Sequence, residues 1–150
     1  MKKFLCALVI LFSMTNVMAN LKESKGQANS NDSDFVAGKK AIERKDWKSA
    51  VESLSKSAEQ TPDNADTHTY LGYSYRHLGD LDNSFAHYNQ ALRLDPNHKG
   101  AHEYIGQAYL KAGQPDKAAE HLVKLEKICG KGCEEYQDLF RAITAFNKAK

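Results

Sequence analysis

The sequence predicts an all-α fold: a solenoid of three helix-turn-helix units closed by a C-terminal capping helix. Three observations predict it. The first is self-similarity at a spacing of 34 residues. Gly38, Gly72 and Gly106 recur at that interval, as do Pro62 and Pro96, with Gly130 at the next place. Ala41, Tyr75 and Tyr109 fall in register, and so do Leu54, Tyr88 and Leu122, Ala50, Ser84 and Ala118, and Trp47, Leu81 and Pro115. A fixed period of this length marks a stacked array of supersecondary units. The second is helical spacing of apolar residues within a unit, such as Leu71, Tyr75 and Leu78, then Leu81, Phe85, Tyr88 and Leu92. The third is the segment after the last unit. There Tyr136, Leu139, Phe140, Ile143 and Phe146 share one helical face, which suits the bare hydrophobic end that any stacked array leaves.

Taken in chain order, residues 1–19 stand apart from the array. Lys2 and Lys3 precede an apolar run from Phe4 to Phe12, and Val17-Met18-Ala19 ends the stretch with small residues. This is the layout of a secretory signal peptide. The run is about 9 residues, against the roughly 20 of a membrane-spanning helix, so the expectation is an exported chain, periplasmic, with no membrane span once the signal is cleaved. Cys6 lies too early in the run to be a lipidation site. Residues 20–33 are polar and small, a composition that cannot bury enough surface to offset the entropy of ordering, and they read as a flexible leader.

The whole chain carries 21 basic and 19 acidic residues. Lys2 and Lys3 account for the excess, so the expected mature chain is formally neutral. It holds no basic tract to attract nucleic acid or an anionic membrane surface.

The first unit, 31–64, is the most degenerate, with Lys45 where the other units have a turn glycine. The second, 65–98, is the clearest: Gly79 permits the left-handed backbone that ends a helix, Asp80 is placed to cap the next, and Asp95-Pro96-Asn97 stops that one. In the third, 99–132, Gly113 closes a helix and Pro115 sits where a first-turn proline is tolerated. Gly72 and Gly106 lie inside helices, where glycine costs up to ~1 kcal/mol. Their expected role is close packing against the small residues Ser84 and Ala118 of the paired helix. Residues 133–150 form the cap.

Leu71-Gly72, Tyr75, Gly79-Asp80, Ala91-Leu92 and Asp95-Pro96 resemble a tetratricopeptide repeat, and the resemblance extends over roughly residues 31–130. It departs from the family pattern at His68 and His102, which stand where a large aromatic is usual. The resemblance implies seven helices in a short right-handed superhelix, with the first helix of each unit lining a concave, partner-binding surface. Carried over by register, the inward positions are Phe35 and Lys39; Thr69, Tyr70, Tyr73, Arg76 and His77; and Glu103, Tyr104, Gln107 and Lys111. Tyrosines there combine large area with a hydrogen-bonding tip, although Tyr70 and Tyr104 could equally pack between repeats. Tyr75 and Tyr109 are assigned to the core. The family's carboxylate-gripping set of lysines, an arginine and asparagines is replaced here by Phe35, Lys39, Thr69, Tyr73, Glu103 and Gln107. That argues against a partner held by its terminal carboxylate.

Candidate chemistry outside the groove is sparse. His68 and His102 share one repeat position, while His77, His87, His98 and His121 read as falling on different helices and faces, without metal-ligand spacing. Cys129-Gly130-Lys131-Gly132-Cys133 lacks the two-residue spacing of redox motifs, and its glycines allow the tight reversal of a short-loop disulfide. A structural disulfide is the first reading, and a redox or copper(I) site is the alternative. No strained serine elbow or phosphate-cradling loop is present, so no catalytic residues, cofactor or metal are expected. The leading expectation is a non-catalytic scaffold or assembly factor in the cell envelope that binds a protein segment. The alternatives are a metal- or redox-handling accessory protein using Cys129 and Cys133 with a histidine, and self-association through the first unit. The partner and the oligomeric state are not legible in the sequence.

Overall fold

The structure, a computed structural model, describes residues 32–149. The expected signal segment and most of the leader lie outside the described residues. Asp32 and Ser33, where the expected leader and first unit overlap, are the cap and the first residue of the first helix.

Seven helices make up the described chain: α1 (Ser33–Glu43), α2 (Trp47–Gln60), α3 (Ala65–Leu78), α4 (Leu81–Leu94), α5 (Lys99–Lys111), α6 (Pro115–Cys129) and α7 (Glu134–Lys148). Each helix packs on the next. In addition α1 touches α3, α3 touches α5 and α5 touches α7, whereas α2, α4 and α6 make no contact with one another among the described residues. Helices that touch on one side and splay on the other produce a curved, two-layered array. The layer of α1, α3, α5 and α7 is its concave side. Among the described residues no helix is long and apolar enough to cross a membrane.

The sequence punctuates these helices as local chemistry requires. Asp32, Asp46, Asn64 and Asp80 each accept a backbone N–H of the helix they start, worth about 1 kcal/mol per cap. The α3–α4 and α5–α6 turns are built alike. Gly79 and Gly113 take left-handed φ values of 85° and 72°, and the residue after each donates to the carbonyl of Tyr75 (3.0 Å) or Tyr109 (2.8 Å). The α1–α2 turn closes through the same bond, Asp46 to Ala41 at 2.9 Å. Its left-handed residue is Lys45, at φ 58°.

The core runs through the array as Leu54, Leu71, Tyr88, Ile105, Leu125 and Leu139, each at most 1% exposed. The in-register glycines make room for it, but not as the sequence suggested. An added Cβ at Gly72 would lie 2.6 Å from the Tyr88 ring, and one at Gly106 would lie 2.6 Å from Leu139 of α7. Ser84 does sit against Gly72, donating from Oγ to its carbonyl at 2.8 Å. At Gly106, however, the space is filled by the cap, not by Ala118. Large side chains fill these gaps because the interhelical space is continuous and dense packing leaves no void unfilled.

Candidate functional site

The concave layer gathers most of the inward positions into one band. Trp47 of α2 stacks on His77 with ring centroids 4.1 Å apart, His77 lies 4.5 Å from Tyr73, and Tyr73 lies 4.9 Å from Tyr104 of α5. The Arg76 guanidinium is 5.2 Å from the Tyr73 ring centre, and Lys111 donates to the Arg76 carbonyl at 2.7 Å. Towards the other edge, Phe35 packs on Tyr70 at 5.8 Å, and the Lys39 ammonium lies over both rings at 5.8 and 5.4 Å. Tyr70 and Tyr104 therefore pack between repeats and also present half-exposed surface. Tyr75 and Tyr109 turn the other way, against the core clusters. Trp47 was not among the inward positions. Its repeat mates, Leu81 and Pro115, carried no aromatic signal to suggest it.

Thr69 lines a cavity but is only 2% exposed, and its hydroxyl donates to the Ala65 carbonyl at 2.8 Å and lies 3.5 Å from His98 Nε2. Thr69 shares its place in the period with Phe35 and Glu103, and all three are buried. Glu103 accepts from Gln107 Nε2 at 2.8 Å. Burial, then the Asp138 and Glu135 carboxylates, push it up to about 7, against the opposing pull of Arg76 and with Glu134 adding to the rise.

Beside Tyr70 and Tyr104 the first turns of α3, α5 and α7 enclose a cavity of about 510 Å³, floored by Glu103 and rimmed by Asp66, Asp95, Glu134, Glu135 and Asp138. The two ends of the concave face thus differ in sign. At the far end burial and then the positive charges of Arg76, Lys111 and Lys45 hold His77 below its ordinary value.

The histidines are not scattered as their sequence positions suggested. His68 Nδ1 lies 3.1 Å from His87 Nδ1, and His102 Nδ1 lies 2.9 Å from His121 Nδ1. The other nitrogen of His68 faces the Pro62 carbonyl at 3.0 Å, and that of His102 faces the Pro96 carbonyl at 2.9 Å. A carbonyl only accepts, so in the neutral pair His68 and His102 are protonated at Nε2 and their Nδ1 atoms accept from His87 and His121. Burial, then His68, lowers His87 to about 4. Burial, then Lys124 and His102, lowers His121 to about 3. The missed signal was the period itself, since 87 and 121 are 34 apart like 68 and 102. His98 joins the cavity rim instead, 2.9 Å from Asp66, while its Nδ1 caps α5 through the Ala101 N–H.

Cys129 and Cys133 are joined as a disulfide, with Cα atoms 5.9 Å apart, linking the end of α6 to the start of α7. Among the described residues the third potential ligand beside this pair is Glu135, not a histidine. Its carboxylate and the two sulfurs lie within 4.8 Å of one another, and it also pairs with Lys99 at 3.2 Å.

The family described as "TPR repeat" matches residues 72–113. Among solved structures, the TPR2B domain of yeast Sti1 in its pHsp70 complex superposes with a TM-score of 0.71 at 17% identity, covering 78% of this chain and 95% of that one. The first TPR of Spaghetti (RPAP3), bound to the HSP90 peptide SRMEEVD, gives 0.67 at 17% identity, covering 76% and 93%. At these identities the likeness is one of fold. A mutant form of MamA is 28% identical with a TM-score of 0.60, covering 70% of this chain and 77% of that one. No curated protein matches the sequence.

Proposed function

We propose, from the premise that the chain is a tetratricopeptide repeat protein, that it is a non-catalytic scaffold that binds a protein segment along its concave face, in the cell envelope. The carrying observation is the aromatic band from Trp47 through His77 and Tyr73 to Tyr104, which runs across α2, α3 and α5 and ends beside the open cavity. Rigid rings with polar tips bind at low ordering cost. The Spaghetti neighbour is bound to a peptide and the yeast neighbour is in a pHsp70 complex, both with the same fold, which supports the segment-binding reading. The envelope location rests on the signal-like residues 1–19.

A photo-crosslinking amino acid at position 73 tests the groove, with the same group at Arg93, on the exposed side of α4, as control. Adducts to one defined protein from position 73 and not from 93 are expected. Tyr73→Ala combined with Arg76→Ala should weaken capture at least about tenfold, that is by roughly 1.4 kcal/mol, with helicity unchanged. Equal crosslinking from both positions, or undiminished capture by the double variant, would refute the assignment.

A second reading, a metal- or redox-handling role for Cys129 and Cys133, is favoured by one observation, the proximity of Glu135 to both sulfurs. It requires the thiols to be reduced. Stoichiometric metal in anaerobically purified protein would support it, and metal-free protein with an intact disulfide would exclude it.

A further inference from the structure

The cavity at the first turns of α3, α5 and α7 holds a carboxylate that the fold does not need. Several of its acids have structural work. Asp66, Glu134 and Glu135 stand in first helical turns, where the helix dipole favours negative charge. Asp66 also meets His98, Glu135 meets Lys99, and Asp138 meets Arg141. Glu103 has no such explanation. It lies beyond the first turn of α5 and is 7% exposed. One oxygen accepts from Gln107. Among the described residues no cation pairs with it and no donor reaches its second oxygen.

The repeat makes the anomaly sharper. The two residues that share this position, Phe35 and Thr69, are buried and uncharged, one in the core and one bonded to the Ala65 carbonyl and near His98. A carboxylate in the same place loses hydration and feels the Arg76 charge only at a distance, a cost that a directly paired cation would relieve. The cavity opens directly onto it, and Tyr70 and Tyr104 flank that opening. Their rings suit the aliphatic stem and charged head of a long basic side chain. Lys39 already sits over the Tyr70 ring from the other side of the groove.

We infer that this cavity receives a lysine or arginine side chain from a basic segment of the partner protein, with Glu103 as its buried contact, Asp138 and Glu134 as its outer field, and Tyr70 and Tyr104 as its walls. The spread of the acids selects an organic cation over a metal ion. Among the described residues the one group of potential ligands close enough to chelate is Cys129, Cys133 and Glu135, and the acids of the cavity floor do not converge in that way. This inference rests on the groove reading above and specifies its ligand.

Fluorescence anisotropy with three labelled peptides tests it. All share one Gly/Ser/Tyr background and carry lysines, glutamates or glutamines at the same positions. Binding is read above pH 7, where Glu103, at about 7, is mostly ionised. The lysine peptide should bind at least about tenfold more tightly than either counterpart, and less tightly as salt rises. Glu103→Gln, which preserves shape, should lose about tenfold for the lysine peptide alone, with unchanged circular dichroism. Should that variant fail to fold, Asp138→Asn must weaken lysine-peptide binding in the same direction. Preference for the glutamate or glutamine peptide would overturn the inference while leaving the groove reading standing. Binding of none of the three would overturn both. Displacement of the lysine peptide by stoichiometric calcium would mark a metal site and also overturn the inference.

Discussion

Lys45 is a side chain in a place built for glycine. Its φ of 58° is the only positive value among the described non-glycine residues, and the turn closes on the same backbone bond as those at Gly79 and Gly113. The left-handed region costs a non-glycine residue roughly 1–2 kcal/mol, and glycine gives back part of this through unfolded-chain entropy. Lys45→Gly should therefore stabilise the protein by about 0.5–1 kcal/mol, read as a higher urea midpoint at unchanged slope. A lowered midpoint would show that Lys45 makes a contact worth more than its backbone strain. The turn was legible in the sequence because Lys45-Asp46-Trp47 keeps the register of the clearer units. Glu103 was legible as an inward position but not as a buried one, because burial at that position depends on α7, about 30 residues further along the chain.

At the scale of the helix pair, each of the two clearer repeats carries an imidazole pair held by the proline carbonyl of the loop that precedes it. His87 and His121 lie at about 4 and about 3, below the 6.5 of an ordinary histidine. The unfolded chain therefore binds more protons than the folded one between those values and 6.5. Their contribution to stability is complete above 6.5 and is lost as pH falls through that window. Glu103 acts in the opposite sense, its raised value lowering stability as pH climbs from 4.5 to about 7. Comparing the chain with a His87→Gln, His121→Gln variant isolates the imidazoles. The variant should lose markedly less stability between pH 6.5 and about 4, and parallel acid-denaturation curves would contradict the assignment. Helix existence and helix ends were readable because each depends on neighbours in sequence, and the layering followed from the family resemblance. The imidazole pairs join residues 19 apart on two helices, and an apolar-face reading treats a histidine as interruption rather than as partner.

At the scale of the whole molecule, stability in a stacked array is a sum of units and the interfaces between neighbours, so the ends govern fraying. α7 packs on both α5 and α6, fills the space left by Gly106, and is tied to α6 by the Cys129–Cys133 bond. Closing so short a loop contributes about 2 kcal/mol on the chain-entropy account. Reduction, or Cys129→Ser with Cys133→Ser, should cost about that much, with amide exchange accelerating first in α7. Uniform acceleration through α1–α6 would show that the cap is not a separable unit. The inner layer has four helices and the outer layer three among the described residues, and α7 occupies the seat that a fourth repeat's leading helix would take, with Leu139 one period after Ile105. α7 thus does two things at once, closing the core of the third repeat and carrying the inner layer one helix further.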